Sequence, residues 1–141
     1  MSDAYRVQTR SVDGGPTAVG SHGAFTVVID RQVAQGGRGL GMNGGHLFYL
    51  SIAACVSNDL YRDAAARGIS LRRVAVTVDG DFEGRASVST PIDVDVELEG
   101  DATDDELAAL LAEVDAVAEI PNSIRRGTEV RLRERRITGR R

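Results

Sequence analysis

The sequence has no lysine, a single cysteine and no long hydrophobic run. One cysteine, Cys55, cannot form a disulfide within the chain, which agrees with a reducing compartment. No run of about 18 apolar residues is present, and the first ten residues, MSDAYRVQTR, lack a hydrophobic signal core. We therefore expect a cytoplasmic location and no association with a membrane. Because every one of the 17 basic residues is arginine, we attribute this bias to genomic composition rather than to function.

The length and composition are sufficient for one folded domain, which we expect to span residues 1–141. The net charge of −4 is unevenly spread, because residues 125–141 carry eight Arg against two Glu, or +6, and the rest carries −10. A basic segment can bind phosphates, but Val130 and Leu132 alternate with Arg131 and Arg133 as in a strand with one solvated face. The interleaved aromatics of a nucleic-acid binder are absent. We interpret the tail as a strand and expect no nucleic-acid partner.

The stretch from Asn43 to Gly68 contains Cys55 and the longest apolar run, with several alanines and no proline, which predicts a buried helix. Asn43 can cap its start and Gly68 can close it in the left-handed conformation. The first half is apolar nearly all round, so it must be covered from several directions. A second copy of the chain is a natural source of that cover.

Within this helix, Ser51, Cys55, Asp59 and Arg62 fall on one stripe at 100° per residue. His46 lies nine residues before Cys55, on the opposite face, so it cannot be the base of the thiol within one helix. It can line the mouth of a pocket, and the helix dipole favours its neutral form. On its own, a cysteine in an apolar helix is a small buried hydrophobe. Two histidines and one cysteine match no metal-site spacing, so we expect no metal and no cofactor.

Alternating patterns predict strands on both sides of the helix. They cover residues 4–10, AFTVVID (24–30), the start of LRRVAVTVDGDFEG (71–84) and PIDVDVELEG (91–100). Gly-rich residues 32–45 predict a loop that borders a site, and residues 87–91 predict a second loop. Thr103 and Glu106 form a capping box that starts a second helix, which Pro121 is expected to stop.

The strand over residues 91–100 has Val94 and Val96 on one face and a wholly acidic opposite face. We predict that this strand pairs with, or lies close to, the last strand, whose outer face carries Arg131, Arg133 and Arg135. Strand pairs that alternate with helices predict an α+β fold with a mainly antiparallel sheet.

The segment NGGHLFYLSIAAC (43–55) resembles the NPEELxxAAxAAC segment that opens the central helix of the OsmC/Ohr family, the osmotically inducible protein C and organic hydroperoxide resistance proteins. Residues 68–80 resemble the GxxxxxxxVxVxxD strand that follows this helix. VDAVAEIPNSIRRGTEVRL resembles the second motif, AxxxCPVSxAL, with its closing strand. The resemblance covers about residues 22–135.

The resemblance implies an OsmC-like intertwined α+β homodimer, with mainly antiparallel sheets packed on two central helices. It also implies that a cysteine at the Cys55 position is a peroxidatic thiolate, which attacks the O–O bond of an organic hydroperoxide and becomes a sulfenic acid. In the family a second cysteine resolves the sulfenic acid as a disulfide. A Glu and an Arg hold the thiolate, since a thiolate near neutral pH needs a nearby positive charge.

The sequence departs from the family at three positions. The resolving cysteine falls on Ile120, so an external thiol would have to reduce the sulfenic acid. The family Glu falls on Gly45, and His46 stands where a Glu or Gln usually follows. Either Arg10 or Arg38 can stand for the family arginine. Two hypotheses follow. The protein is a one-cysteine, thiol-dependent peroxidase with a pocket that includes His46, Ser51 and Asp59, or it is a non-catalytic dimer that binds a small hydrophobic ligand.

Overall fold

The central helix is the longest element of the computed structural model, which describes residues 5–133 and 136–140. Helix α1 spans Gly44–Ala66. Asn43 caps it, because Asn43 Oδ1 accepts the His46 N–H at 2.9 Å while the Asn43 N–H donates to His46 Nδ1 at 3.1 Å. The chain leaves the helix at Gly68, which has φ = +68°. The predicted start and end of this helix are confirmed, and none of the described helices is long and apolar enough to span a bilayer.

The strands are antiparallel, as predicted, and form three small sheets. The sheet orders are β1-β2-β3, β4-β7 and β5-β6. Their bounds are β1 (Gln8–Ser11), β2 (Ala18–His22), β3 (Phe25–Ile29), β4 (Leu71–Asp79), β5 (Phe82–Glu83), β6 (Val88–Ser89) and β7 (Asp93–Gly100). The first strand therefore starts later than predicted, and residue 4 lies outside the described residues. The predicted loop over residues 87–91 contains the short strand β6, which turns back on β5.

Two helices follow β7. Helix α2 (Asp104–Val117) starts at the predicted capping box, in which Thr103 Oγ1 accepts the Glu106 N–H at 3.2 Å. Helix α2 ends at Val117, four residues before Pro121, which agrees with the predicted stop, because proline has no N–H to donate to the Val117 carbonyl. The chain bends at Ala118 (φ −58°, ψ 119°) and continues as α3 (Glu119–Arg125). Pro121 lies in the first turn of α3, where a missing N–H removes no intrahelical hydrogen bond.

The buried core lies between α1, α2 and the β4-β7 sheet. Leu60 of α1 and Leu110 and Val114 of α2 are fully buried, and apolar residues of β4 and β7 pack against them. The β1-β2-β3 sheet contributes no residue to this core cluster. Several of its apolar side chains are exposed to solvent instead, and Phe25 is 79% exposed. Within one chain, α2 and the β4-β7 sheet therefore bury one face of α1, while the apolar side chains of the β1-β2-β3 sheet are left exposed.

The predicted C-terminal strand is wrong for the residues that the structure describes. Residues 128–133 form no strand, and Arg135 lies outside the described residues. Strand β7 pairs with β4 instead. Arg73 of β4 donates to Glu97 of β7 at 2.6 Å, and this hydrogen bond raises the pKa of Arg73. The acidic face of β7 therefore has a basic partner within the chain. This partner is Arg73 of β4 and not the C-terminal strand that the charge pattern predicted.

Candidate functional site

Cys55 faces the core from the middle of α1. Its residue is 8% exposed, and it belongs to the cluster that includes Leu60, Leu110 and Val114. Ile120, which stands at the second-motif cysteine position, packs against this same cluster. The two positions that carry sulfur in the family thus lie in one region of the fold, although only one of them is a thiol here.

The polar side chains predicted to share the Cys55 stripe use their hydrogen-bonding groups locally. The Ser51 hydroxyl donates to the Phe48 carbonyl at 2.6 Å. Asp59, one turn after Cys55 and 7% exposed, accepts from Arg62 at 3.1 Å. A second carboxylate, Asp63, accepts from the same guanidinium at 2.8 Å, and this bond raises the pKa of Arg62. Asp59 and Asp63, one and two turns after Cys55, thus share the guanidinium of Arg62.

Of the two arginine candidates, Arg38 is anchored to the segment that connects β1 to β2. Its Nη2 donates to Asp13 at 2.6 Å, and its Nη1 lies 3.5 Å from Thr17 Oγ1. The hydrogen bond to Asp13 raises the pKa of Arg38 and lowers that of Asp13. Arg10 lies on β1, opposite Val19 of β2. Neither β1 nor the loop that carries Arg38 contributes to the core cluster that holds Cys55.

Asp30 organises the glycine-rich loop, and the sequence analysis missed this residue. The Asp30 side chain is 1% exposed and accepts from Thr17 Oγ1 and from the backbone N–H groups of Arg31, Arg38 and Leu40, at 2.7–3.3 Å. Burial would raise the pKa of Asp30, but these donors stabilise the carboxylate and lower it. The predicted loop is thus held in place by hydrogen bonds to a buried carboxylate. An Asp at the end of a strand and before such a loop was the available signal.

A polar cavity of about 820 Å³ lies at the N-terminus of α1. His46 and Gly45 line it from the helix, Asp30 and Arg31 from the loop, and Phe82 from β5. Because His46 Nδ1 accepts the Asn43 N–H, the proton of the neutral imidazole lies on Nε2. His46 therefore lines a cavity at the helix N-terminus. By contrast, Ser51, Cys55 and Asp59 line none of the five cavities found among the described residues.

An aromatic cluster closes one side of this cavity. Phe48, Tyr49 and Phe82 have ring centroids 5.2–6.0 Å apart. The Tyr49 hydroxyl donates to the Asp81 carbonyl at 2.9 Å, which ties the β5-β6 hairpin to α1. Phe82 was not predicted as a site residue, although it is one of only three Phe in the chain. Elsewhere in residues 5–133 and 136–140, no three His, Cys, Asp or Glu side chains are placed to hold a metal ion.

The family model for OsmC-like protein matches residues 36–133, which is more than half of the sequence. The chain belongs to the OsmC-like family. No curated protein matches the sequence. The family assignment therefore depends on the family model.

Solved structures of other OsmC-family members have the same fold. An OsmC-like protein from Mycoplasma pneumoniae matches with a TM-score of 0.75 at 15% identity, over 89% of both chains. An organic hydroperoxide resistance protein from Legionella pneumophila matches with a TM-score of 0.62 at 21% identity, over 88% of this chain and 92% of that one. A putative organic hydroperoxide resistance protein from Vibrio cholerae, with captopril bound in one active site, gives 0.63 at 20%, over 89% and 88%. At these identities the likeness establishes the fold alone.

Proposed function

We propose that this OsmC-like protein is a homodimeric, one-cysteine thiol peroxidase that reduces organic hydroperoxides through Cys55. The observation that carries the proposal is the position of Cys55, on the family motif of α1 and in the same core cluster as Ile120 at the second motif. The reaction needs no second cysteine in the chain when a small external thiol completes it. Membership of a family with members named for hydroperoxide resistance supports this chemistry.

The reaction balances with one redox thiol. The Cys55 thiolate attacks one oxygen of R–O–O–H, the O–O bond breaks, and the products are the Cys55 sulfenic acid and the alcohol R–OH after proton uptake. A first external thiol condenses with the sulfenic acid, forming a mixed disulfide and releasing water. A second external thiol attacks that disulfide, which regenerates Cys55 and releases the oxidised external disulfide. Two thiols are oxidised for each hydroperoxide reduced.

The dimer is part of the proposal because one chain cannot complete the site. Gly45 and Cys55 are ten residues apart on one helix, so their Cα atoms are about 15 Å apart at about 1.5 Å of rise per residue. In the proposed dimer, a site that combines the cavity beside Gly45 with the Cys55 thiol takes one part from each of two copies. Exposed apolar residues on α1, Leu50 at 45% and Tyr61 at 47%, offer a contact face for the second copy.

The test is a turnover assay with tert-butyl hydroperoxide and excess dithiothreitol, which follows the loss of peroxide. Wild-type protein should consume peroxide catalytically, and Cys55→Ala, which keeps the site apolar, should not. Dimedone, which reacts with sulfenic acids, should label Cys55 only after peroxide treatment. Equal peroxide loss with wild type and variant would reject the redox proposal.

A second candidate function is non-catalytic binding of a small hydrophobic ligand. It is favoured by a separate cavity of about 570 Å³ against the N-terminal sheet, with a mainly apolar lining that includes Phe25, Val27 and Leu47. Dye displacement by a fatty acid or another lipophilic probe tests it. The Phe25→Ser variant should weaken such binding without any effect on peroxide turnover.

A further inference from the structure

His46 has one ring nitrogen that is engaged in the cap of α1 and one that is unused. Its Nδ1 accepts the Asn43 N–H at 3.1 Å, which closes the capping box and holds the ring at the start of the helix. The neutral imidazole therefore carries its proton on Nε2. Among residues 5–133 and 136–140, no acceptor receives this Nε2–H. A fixed donor is thus available for a bound molecule.

His46 borders two cavities of different character. It lines the polar cavity of about 820 Å³ together with Arg31. It also lines a mainly apolar cavity of about 470 Å³ together with Leu50 and Val76. Tyr49 lines both cavities as well, so the two meet along α1. An alkyl hydroperoxide, which has a polar end and an apolar end, matches this border with its oxygens at His46 and its alkyl group on the apolar side.

Two other donors of the polar cavity are already engaged with the backbone. The Tyr49 hydroxyl donates to the Asp81 carbonyl at 2.9 Å. The Nε–H of Arg31 donates to the Gln35 carbonyl at 3.1 Å, which anchors this guanidinium to the glycine-rich loop. His46 differs from both, because the cap orients its ring while the opposite nitrogen keeps its proton free.

We propose that His46 is a catalytic residue whose Nε2–H donates a hydrogen bond to the oxygen that leaves the hydroperoxide. This role rests on the proposed function, since it requires that Cys55 of the other copy reacts with R–O–O–H. The thiolate attacks the terminal oxygen, and the electron pair of the O–O bond moves to the oxygen attached to R. The Nε2–H stabilises the negative charge that grows there. Solvent returns the proton that the thiol lost, and R–OH leaves.

Glutamine and glutamate at position 46 form a matched pair of variants. Either side chain can accept the Asn43 N–H, because Gln and Glu both close a capping box from this position. Only glutamine keeps an N–H that can donate to a substrate. His46→Gln should therefore retain most of the rate of Cys55 oxidation, whereas His46→Glu should lose it with an intact helix cap. Thermal unfolding verifies that both variants fold.

The leaving group separates a catalytic role from a structural one. tert-Butyl hydroperoxide releases an alkoxide, which is a strong base, whereas peracetic acid releases acetate, which is stable as the anion and needs no donor. Rapid mixing of reduced protein with each peroxide, followed by thiol titration in urea, gives the rate constant for Cys55, because it is the only thiol.

We expect His46→Glu to lower the rate constant with tert-butyl hydroperoxide by about 100-fold and to have a much smaller effect with peracetic acid. His46→Gln should leave the ratio of the two rate constants close to that of wild type. The control variant His22→Glu makes the same substitution on β2 and should react like wild type with both peroxides.

The outcomes distinguish the role of His46 from the peroxidase reaction itself. A His46→Glu protein with the wild-type ratio of rate constants would overturn the role of His46 and leave the reaction of Cys55 standing. A His46→Gln protein as slow as His46→Glu with tert-butyl hydroperoxide would overturn it as well, because a donor at this position would then not suffice. Wild-type protein that neither peroxide oxidises at Cys55 would overturn the proposed function.

Discussion

The ring of Phe82 lies against the backbone of Gly45, where the family carries a glutamate. A Cβ atom built on Gly45 would be 3.0 Å from Phe82 Cε2 and 3.3 Å from Asn43 Oδ1. Few real Cβ contacts are as close as the first of these. The β5-β6 hairpin has therefore filled the space in which a side chain at position 45 would start. Gly45 and the Phe82 ring thus line the same polar cavity in close contact.

A pair of alanine substitutions measures this contact. Gly44 and Gly45 are the first two residues of α1, and a Cβ on Gly44 would meet nothing within 4 Å. Gly44→Ala should stabilise the protein by about 0.5–1 kcal/mol, because alanine loses less backbone entropy on folding. Gly45→Ala gains the same propensity but presses on Phe82, so it should be clearly less stable than Gly44→Ala in thermal unfolding.

The control for this pair is the same comparison in a Phe82→Leu background. Removing the ring should bring the two alanine variants to similar stabilities. If Gly45→Ala is as stable as Gly44→Ala while Phe82 is present, the contact does not constrain this position.

The loop network around Asp30 should give the protein an acid-sensitive component of stability. The folded state lowers the pKa of Asp30 below its ordinary value of 3.8, so its stabilisation is complete above that value. The stabilisation is lost as the pH falls through the lower, folded pKa. Asp30→Asn should therefore be less stable than wild type near neutral pH, and the difference should shrink as the pH approaches 2. Urea unfolding at several pH values measures this difference.

Thr17→Val provides the matched variant for the Asp30 network. It keeps the shape of Thr17 but removes one donor to the carboxylate, the Oγ1–H bond of 3.1 Å. Its loss of stability at neutral pH should be smaller than that of Asp30→Asn, because three backbone donors remain. A pH-independent difference between wild type and Asp30→Asn would contradict the lowered pKa.

Helix α2 offers a direct comparison of buried and exposed valine. Val114 is fully buried, while Val117, nearly one turn on, is 54% exposed. Val114→Ala should cost about 2 kcal/mol from lost burial and the remaining cavity. Val117→Ala should stay within about 0.5 kcal/mol of wild type. Equal costs in urea unfolding would place the core elsewhere on the helix.

The sequence predicted the elements whose signals are local. Asn43 and Thr103 are caps that act on the next three residues, so both helix starts could be read from the chain. Alternation in β4 and β7 likewise marked their strands. The prediction of a strand in the tail was wrong. Val130 and Leu132 have the period of a strand, but a strand also needs a neighbouring edge with which to pair. Local pattern carries no information about which edge, or which copy, supplies it.

The candidate site was less predictable because its contacts join distant segments. Phe82 meets Gly45 across 37 positions of sequence, and Arg38 reaches Asp13 across 25. The resemblance identified Gly45 as a missing glutamate but gave no reason to expect an aromatic ring in its place. Similarly, Arg38 matched the need for a cation, while its Asp13 partner became apparent only in three dimensions.

The burial of Cys55 makes a prediction that is independent of any peroxidase activity. Because it is the only cysteine, a thiol reagent reports on this position alone. At 8% exposure in an apolar cluster, Cys55 should react slowly with the bulky, charged reagent DTNB in the native state and rapidly in urea. Leu110→Ala, which opens the same cluster, should speed the native reaction, whereas Leu40→Ala, at an exposed site, should not. Native labelling as fast as labelling in urea would show that the thiol is open to solvent. An organic hydroperoxide would then have direct access to it.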